Sequence, residues 1–249
     1  MTPSVRLILA LSTVACVAAA ALTVRAAGSG TIGFAFADGF QDDPVGAQPW
    51  GLVTPGGTPI QTDVGEVFTA WPVDPRAIVE VVAIPGPSGP NHVLRVSDAN
   101  IHDGTAHSEV TIRPIGTQGT VSVRFEMTLL NIVGDQVRVG IIDNRTTPGT
   151  GRLAALTIES DGRLLVGGMP TSLVLGTGAT YRFAMTFDLG GQDDRYSVAV
   201  QEVGGTDSMT LTEVPVGFDA ATISDFTFSL TDGGNGAFDL DNIRILNIF

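Results

Sequence analysis

Residues 119–144, GTVSVRFEMTLLNIVGDQVRVGIIDN, constrain the fold more than any other stretch of the chain. Val121, Val123, Phe125, Met127 and Leu129 alternate with Ser122, Arg124, Glu126 and Thr128. A period of two sends one set of side chains to each face of a strand, which suits a sheet with one buried and one wetted face. After Gly134-Asp135 the alternation resumes, with Val137, Val139 and Ile141 set against Gln136, Arg138 and Gly140. The stretch reads as two long strands joined by a short turn, a central hairpin with Phe125 turned inward and Arg124 outward.

The same period recurs in shorter pieces along the chain. Strands are expected at 31–36, 67–70, 78–84, 92–97, 108–113, 153–159, 163–167, 181–189, 196–203, 208–214, 226–230 and 238–246. Asp161-Gly162 between two of them is a strong hairpin signal. With 31 glycines and 14 prolines the chain has many turns, and no region keeps a helical period. The segment from Pro55 to Pro90 is proline-rich and reads as edge strands and long connections. The expectation is an all-β sandwich or barrel, built as a single domain over 28–249.

Charge narrows the function. The chain has 26 acidic and 13 basic residues, a net charge of -13, and every basic residue is arginine. Without lysine there is no side-chain amine for Schiff-base chemistry. The acidic balance repels phosphate backbones and anionic membrane surfaces, so nucleic acid is excluded as a partner class, and no membrane partner is expected for the mature chain. Residues 1–27 read as a signal peptide, because Arg6 precedes an apolar run over 7–24 and small residues Ala26-Ala27-Gly28 follow it. An uncleaved anchor is the alternative, since this run of 18 mostly apolar residues approaches the ~20 that span a bilayer. Cys16, the one cysteine, lies in that run, and the preceding Thr13-Val14-Ala15 resembles a bacterial lipoprotein signal. The expected location is extracellular or at the cell surface.

One apolar pattern breaks near the C-terminus. Phe238 and Leu240 are followed by Ile243 and Ile245, a slip of one position at Asp241-Asn242 that indicates a β-bulge.

The opening Phe40-Gln41-Asp42-Asp43-Pro44-Val45-Gly46, the strands over 119–143, the Asp161-Gly162 hairpin, Tyr181-Arg182-Phe183 and the closing 238–245 together resemble the concanavalin A-like lectin and glucanase superfamily. The resemblance implies a jelly roll of two curved antiparallel sheets and leaves function open among lectins, binding modules, hydrolases, lyases and adhesion domains. It also implies a structural calcium held by Asp241 and by Asp38 near the first strand; the alternative is that Asp241 and Asn242 only cap a bulge.

Its enzymes supply two tests. The glucanase pattern Glu-x-Asp-x-x-Glu finds only Glu159-Ser160-Asp161-Gly162-Arg163-Leu164, where Leu164 stands in place of the last carboxylate. The lyase pattern is echoed by His107-Ser108-Glu109-Val110-Thr111 and Gln136-Val137-Arg138, with Arg138 where a histidine is required, leaving His107 or Tyr181 as the acid–base group.

The outward residues His107, Glu109, Arg113, Arg124 and Arg138 form the candidate ligand set, as one sheet face able to hydrogen-bond sugar hydroxyls or uronate carboxylates. The alternative is a solvated face whose charges pair across strands. Trp50 and Trp71 read as plugs over the end of the core, with stacking on sugar rings as the second possibility. The function expected is binding of a glycan or another surface polymer without catalysis; a polysaccharide lyase or hydrolase and a structural cell-surface or matrix protein are the alternatives.

Overall fold

The structure is a computed structural model, which describes residues 32–51, 57–62, 64–68, 77–98, 108–115, 117–143, 151–191, 193–231 and 235–248. In chain order the strands are β1 (Ile32–Asp38), β2 (Glu66–Phe68), β3 (Ala77–Gly86), β4 (Gly89–Asp98), β5 (Ser108–Arg113), β6 (Thr120–Val133), β7 (Gln136–Ile142), β8 (Arg152–Ile158), β9 (Arg163–Val166), β10 (Met169–Val174), β11 (Thr180–Asp188), β12 (Arg195–Glu202), β13 (Ser208–Pro215), β14 (Asp225–Thr231) and β15 (Asn235–Ile248). Among the described residues there is no helix long and apolar enough to cross a membrane. Signal-peptide residues 1–27 and Cys16 lie outside the described residues.

Two antiparallel sheets pack face to face. One has eight strands in the order β13-β12-β11-β6-β15-β4-β3, with β1 also paired to β15; the other has seven, in the order β10-β9-β8-β7-β14-β5-β2. The chain crosses repeatedly between the sheets, so strands adjacent in sequence often face each other across the core. This is the all-β, jelly-roll sandwich of two antiparallel sheets expected from the sequence.

The central stretch corrects one expectation. β6 pairs with β11 and β15, whereas β7 pairs with β8 and β14, so the two are not a hairpin. Gly134, at φ 71°, and Asp135, whose Oδ1 accepts the Gln136 N–H at 2.8 Å, instead turn the chain from one sheet into the other. Val121, Val123, Phe125, Met127 and Leu129, and Val137, Val139 and Ile141, are all buried and face the same core from opposite sides. Alternation fixes which face of a strand is buried but not which sheet the strand joins. The 161–162 hairpin forms as read, with β8 and β9 paired from Leu156↔Val166 to Ile158↔Leu164. Strand β10, MPTSLV, was not anticipated; it is an edge strand, largely exposed, and so lacks the alternation of a half-buried one.

Aromatic rings fill the centre of the core. Phe125 stacks on Phe183 at 4.8 Å and meets Phe228 edge-on at 4.9 Å. Each such side chain contributes roughly 1.5–3 kcal/mol by leaving water.

Candidate functional site

Strand β15 is long enough to serve two partners on one side. Its first half pairs with β4, from Ala237↔Ser97 to Leu240↔Leu94, and its second half pairs with β1, from Ile243↔Asp38 to Ile248↔Ile32. Asp241 and Asn242 lie at the changeover, where the register against β6 shifts and Asn242 adopts φ 52°. This is the bulge expected from the slipped apolar period. Asp241 caps it, accepting the Asn242 N–H on Oδ1 at 2.7 Å and the Asn91 side-chain amide on Oδ2 at 2.9 Å.

The chain leaves β1 through a tight loop beside this bulge. Asp38 Oδ1 accepts the Phe40 N–H at 2.7 Å and holds Phe40 at φ 57°, with its ring fully buried. Gln41 then fastens the loop to β4, its side-chain amide donating to the Asn91 side chain and the His92 carbonyl, both at 2.8 Å. Asp43 Oδ1 accepts the Gln61 N–H at 2.9 Å. One oxygen from each of Asp38, Asp42 and Asp43 falls within a 4.8 Å cluster.

Two carboxylate oxygens of these residues are unsatisfied. Asp38 Oδ2 and Asp43 Oδ2 are buried with no hydrogen-bond partner, and Asp43 as a residue is only 1 % exposed. A buried carboxylate oxygen without a donor is costly, so the arrangement calls for a cation or a proton. Burial pushes Asp38 up to about 7, opposed by the Phe40 N–H and reinforced by the charges of Asp43 and Asp42. Burial likewise raises Asp43 and Asp241 above the usual carboxylate range.

Asp38 and Asp42 line a shallow pocket of about 190 Å³ together with Gln61, Asn242 and Arg244. Clustered hard oxygen donors suit calcium, which takes 6 to 8 oxygens and accepts backbone carbonyls and water among them. The donor set present, Asp38, Asp42 and Asp43, therefore fits such an ion. Both oxygens of Asp241 are engaged in capping, and it stands beside the three rather than among them. Asp42 and Asp43 were visible in the sequence only as an acidic pair in a turn. Nothing in that pattern distinguishes ligands from solvated loop acids.

The expected ligand face divides between the sheets. Glu109 and Arg113 on β5 and Arg138 on β7 share the outer face of the seven-stranded sheet, on either side of β14. Arg124 lies on β6 in the other sheet, because β6 and β7 are not neighbours. His107 lies outside the described residues.

On the seven-stranded face Glu109, Ser229, Arg138 and Thr157 form one cross-strand row, and Thr111, Thr227 and Gly140 form the next. Thr111, Thr227 and Ser229 are each less than a tenth exposed. The result is a floor of short hydroxyl side chains between charged ones. At one end Arg113 bridges Asp225 at 3.1 Å and approaches Glu66 at 3.9 Å, a charge ladder across three strands. Arg138 donates to Gln136 Oε1 at 2.9 Å, and Thr111 to Glu109 Oε1 at 3.2 Å.

Three of the residues considered for catalysis, Tyr181, Glu159 and Asp161, are otherwise employed. Tyr181 is 2 % exposed, and its hydroxyl accepts the Gly176 N–H at 2.9 Å. Glu159 and Asp161 both pair with Arg163, at 2.9 and 2.7 Å, within the β8–β9 turn. Trp50 is 56 % exposed and so is not a plug over the core; Trp71 lies outside the described residues.

No family model matches the sequence, and no curated protein does. Among solved structures, the chain is similar to lectin II from Ulex europaeus, at 11 % identity over 74 % of this chain and 99 % of that one, with a TM-score of 0.41. Arcelin-5, a lectin-like defence protein from Phaseolus vulgaris, gives 9 % identity over 72 % and 96 %, also at 0.41. A GH131 beta-glucanase catalytic domain from Podospora anserina gives 11 % identity over 67 % and 78 %, again at 0.41. Likeness at this level is of sandwich arrangement alone, and the functional reading rests on the chain's own residues.

Proposed function

We propose that this chain is a secreted β-sandwich domain that binds a glycan or another surface polymer without turning it over, and that calcium at Asp38, Asp42 and Asp43 fastens its binding-competent form. The observation that carries the binding reading is the outer face of the seven-stranded sheet, where Thr111, Thr227 and Ser229 form a nearly buried hydroxyl floor flanked by Glu109, Arg113 and Arg138. Sugar recognition uses convergent hydrogen-bonding groups of this kind, with charged donors and acceptors giving the stronger bonds. The two partnerless oxygens, Asp38 Oδ2 and Asp43 Oδ2, support the calcium reading.

Binding without turnover is supported by the engagement of Tyr181, Glu159 and Asp161 in core and turn contacts. A catalytic group has to reach the reacting atoms with a proton to exchange. The test is a glycan array run with and without calcium, beside a reducing-end assay and an ultraviolet assay for unsaturated uronate ends. Calcium-dependent retention of a glycan with no product is the expected result. Product formed by the wild-type protein would overturn the reading.

A further inference from the structure

Arg124 on β6 and Arg244 on β15 are cross-strand partners in register, and both are exposed on the outer face of the eight-stranded sheet. Like charges directly opposite each other weaken a strand pair. Relief was available in a chain with twice as many acidic as basic residues, and other arginines have it: Arg95 pairs with Asp239, Arg113 with Asp225, Arg163 with Asp161, and Arg182 with Glu126. Neither Arg124 nor Arg244 has a carboxylate partner among the described residues. The nearest same-face acid on β6, Glu126, is already held by Arg182 at 2.6 Å and by the Asn242 side chain at 3.3 Å.

The surroundings of the pair are shaped as well as charged. Its cross-strand row runs Ala37, Arg244, Arg124, Ala184, Ala199, Thr210, over β1, β15, β6, β11, β12 and β13. Alanine is a poor strand former, and here three of them occupy outward positions where longer side chains are usual. Strand spacing of ~4.8 Å makes the row a shallow trench about 24 Å long. On one side it is bordered by Ser122, Thr186 and Ser197, which are themselves in register, and beyond Ser122 by Leu246 and the 58 % exposed Phe34. On the other side stands the Arg182–Glu126 ion pair.

We infer that this trench is a second binding site, for an extended polysaccharide bearing carboxylate groups, with Arg124 and Arg244 clamping one carboxylate. Guanidinium forks match a carboxylate in two parallel hydrogen bonds, and two arginines on adjacent strands can close on it from both sides. The alanines let the sugar backbone lie flat, and the flanking hydroxyls meet its own. A bound carboxylate also removes the repulsion between the two arginines. The site lies on the opposite sheet from the proposed glycan face and does not depend on it.

The test measures binding of polygalacturonate, with calcium held constant, to the wild type and to Arg124→Ala, Arg244→Ala, Arg124→Lys and Arg163→Ala. Each alanine change in the trench is expected to weaken binding at least about tenfold, the loss of one charged hydrogen-bonded partner. Arg124→Lys keeps the charge but not the fork and is expected to fall between. Arg163→Ala, on a distant turn, should bind as the wild type does. Wild-type affinity in both trench alanine variants would overturn the inference. So would loss of polygalacturonate binding in Arg138→Ala alone, which would move the acidic polymer to the seven-stranded face and leave the proposed function standing. Preference for a sulfated polymer over polygalacturonate of equal charge density would overturn the carboxylate assignment. Retention of neutral glycans by Arg124→Ala, which lies away from the acidic cluster, would show that the two sites are separate.

Discussion

Phe125 and Phe183 are register partners on β6 and β11, with ring centroids 4.8 Å apart and planes 8° from parallel. Phe226 and Phe228 close on Phe125 from the opposite sheet, at 6.2 and 4.9 Å, so one ring joins both halves of the sandwich. Removing it leaves a cavity that two rigid sheets cannot collapse. Phe125→Ala is expected to cost about 3–5 kcal/mol, whereas Arg124→Ala, one residue away on the wetted face, should stay within about 0.5 kcal/mol. Urea titrations of the two variants check this, and similar losses would contradict the assignment of faces.

Calcium should raise the melting temperature. An ion that binds only the folded state at a hundredfold excess over its dissociation constant adds about 2.7 kcal/mol. For a domain of this size that corresponds to roughly 5–10 °C. Asp43→Asn removes the charge from the most buried member of the cluster and should abolish the calcium increment while leaving the metal-free protein no less stable. A thermal scan with and without chelator decides it. Equal curves for the wild type, together with no metal in the purified protein, would reject the ion.

The same cluster sets a pH dependence for the metal-free protein. Asp38 titrates near 3.8 when unfolded and at about 7 when folded. Between these values the folded state holds more protons than the unfolded one, so stability is lost as pH rises from about 4 through about 7. The raised Asp43 and Asp241 act in the same direction. Metal-free protein should therefore melt at a higher temperature at about pH 5 than at about pH 8. Saturating calcium stabilises the ionised carboxylates and should shrink or reverse the difference. A metal-free protein that gains stability over this range would contradict the burial of these oxygens.

On the seven-stranded face, Arg138→Ala and Arg113→Ala are each expected to weaken binding of the glycan that the array identifies for this face, as distinct from the polygalacturonate of the trench, by about 1.5–3 kcal/mol for every charged hydrogen bond lost. Added salt should weaken binding further, because exposed charges are screened within a Debye length of about 8–10 Å. Calorimetry at two ionic strengths tests both effects. Affinity unmoved by either substitution would remove this face as the site.

The sequence by itself determined which face of a strand meets the core, because a period of two admits one apolar face per strand. Phe125, Phe183 and Phe228 are all core residues as that period requires, and the slip at Asp241-Asn242 locates the bulge at the changeover in β15. Tertiary structure alone decided which strands share a sheet, since the same alternation serves a hairpin and two strands facing across a core. That decision parted Arg124 from Arg138 and set it opposite Arg244, a residue 120 positions away in the chain. It also brought Asp38, Asp42 and Asp43 together with a loop pinned to β4 by Gln41 and to Gln61 by Asp43. Burial converts those three acids from ordinary loop residues into a cluster with two unsatisfied oxygens, and burial is a property of the packed chain rather than of local spacing.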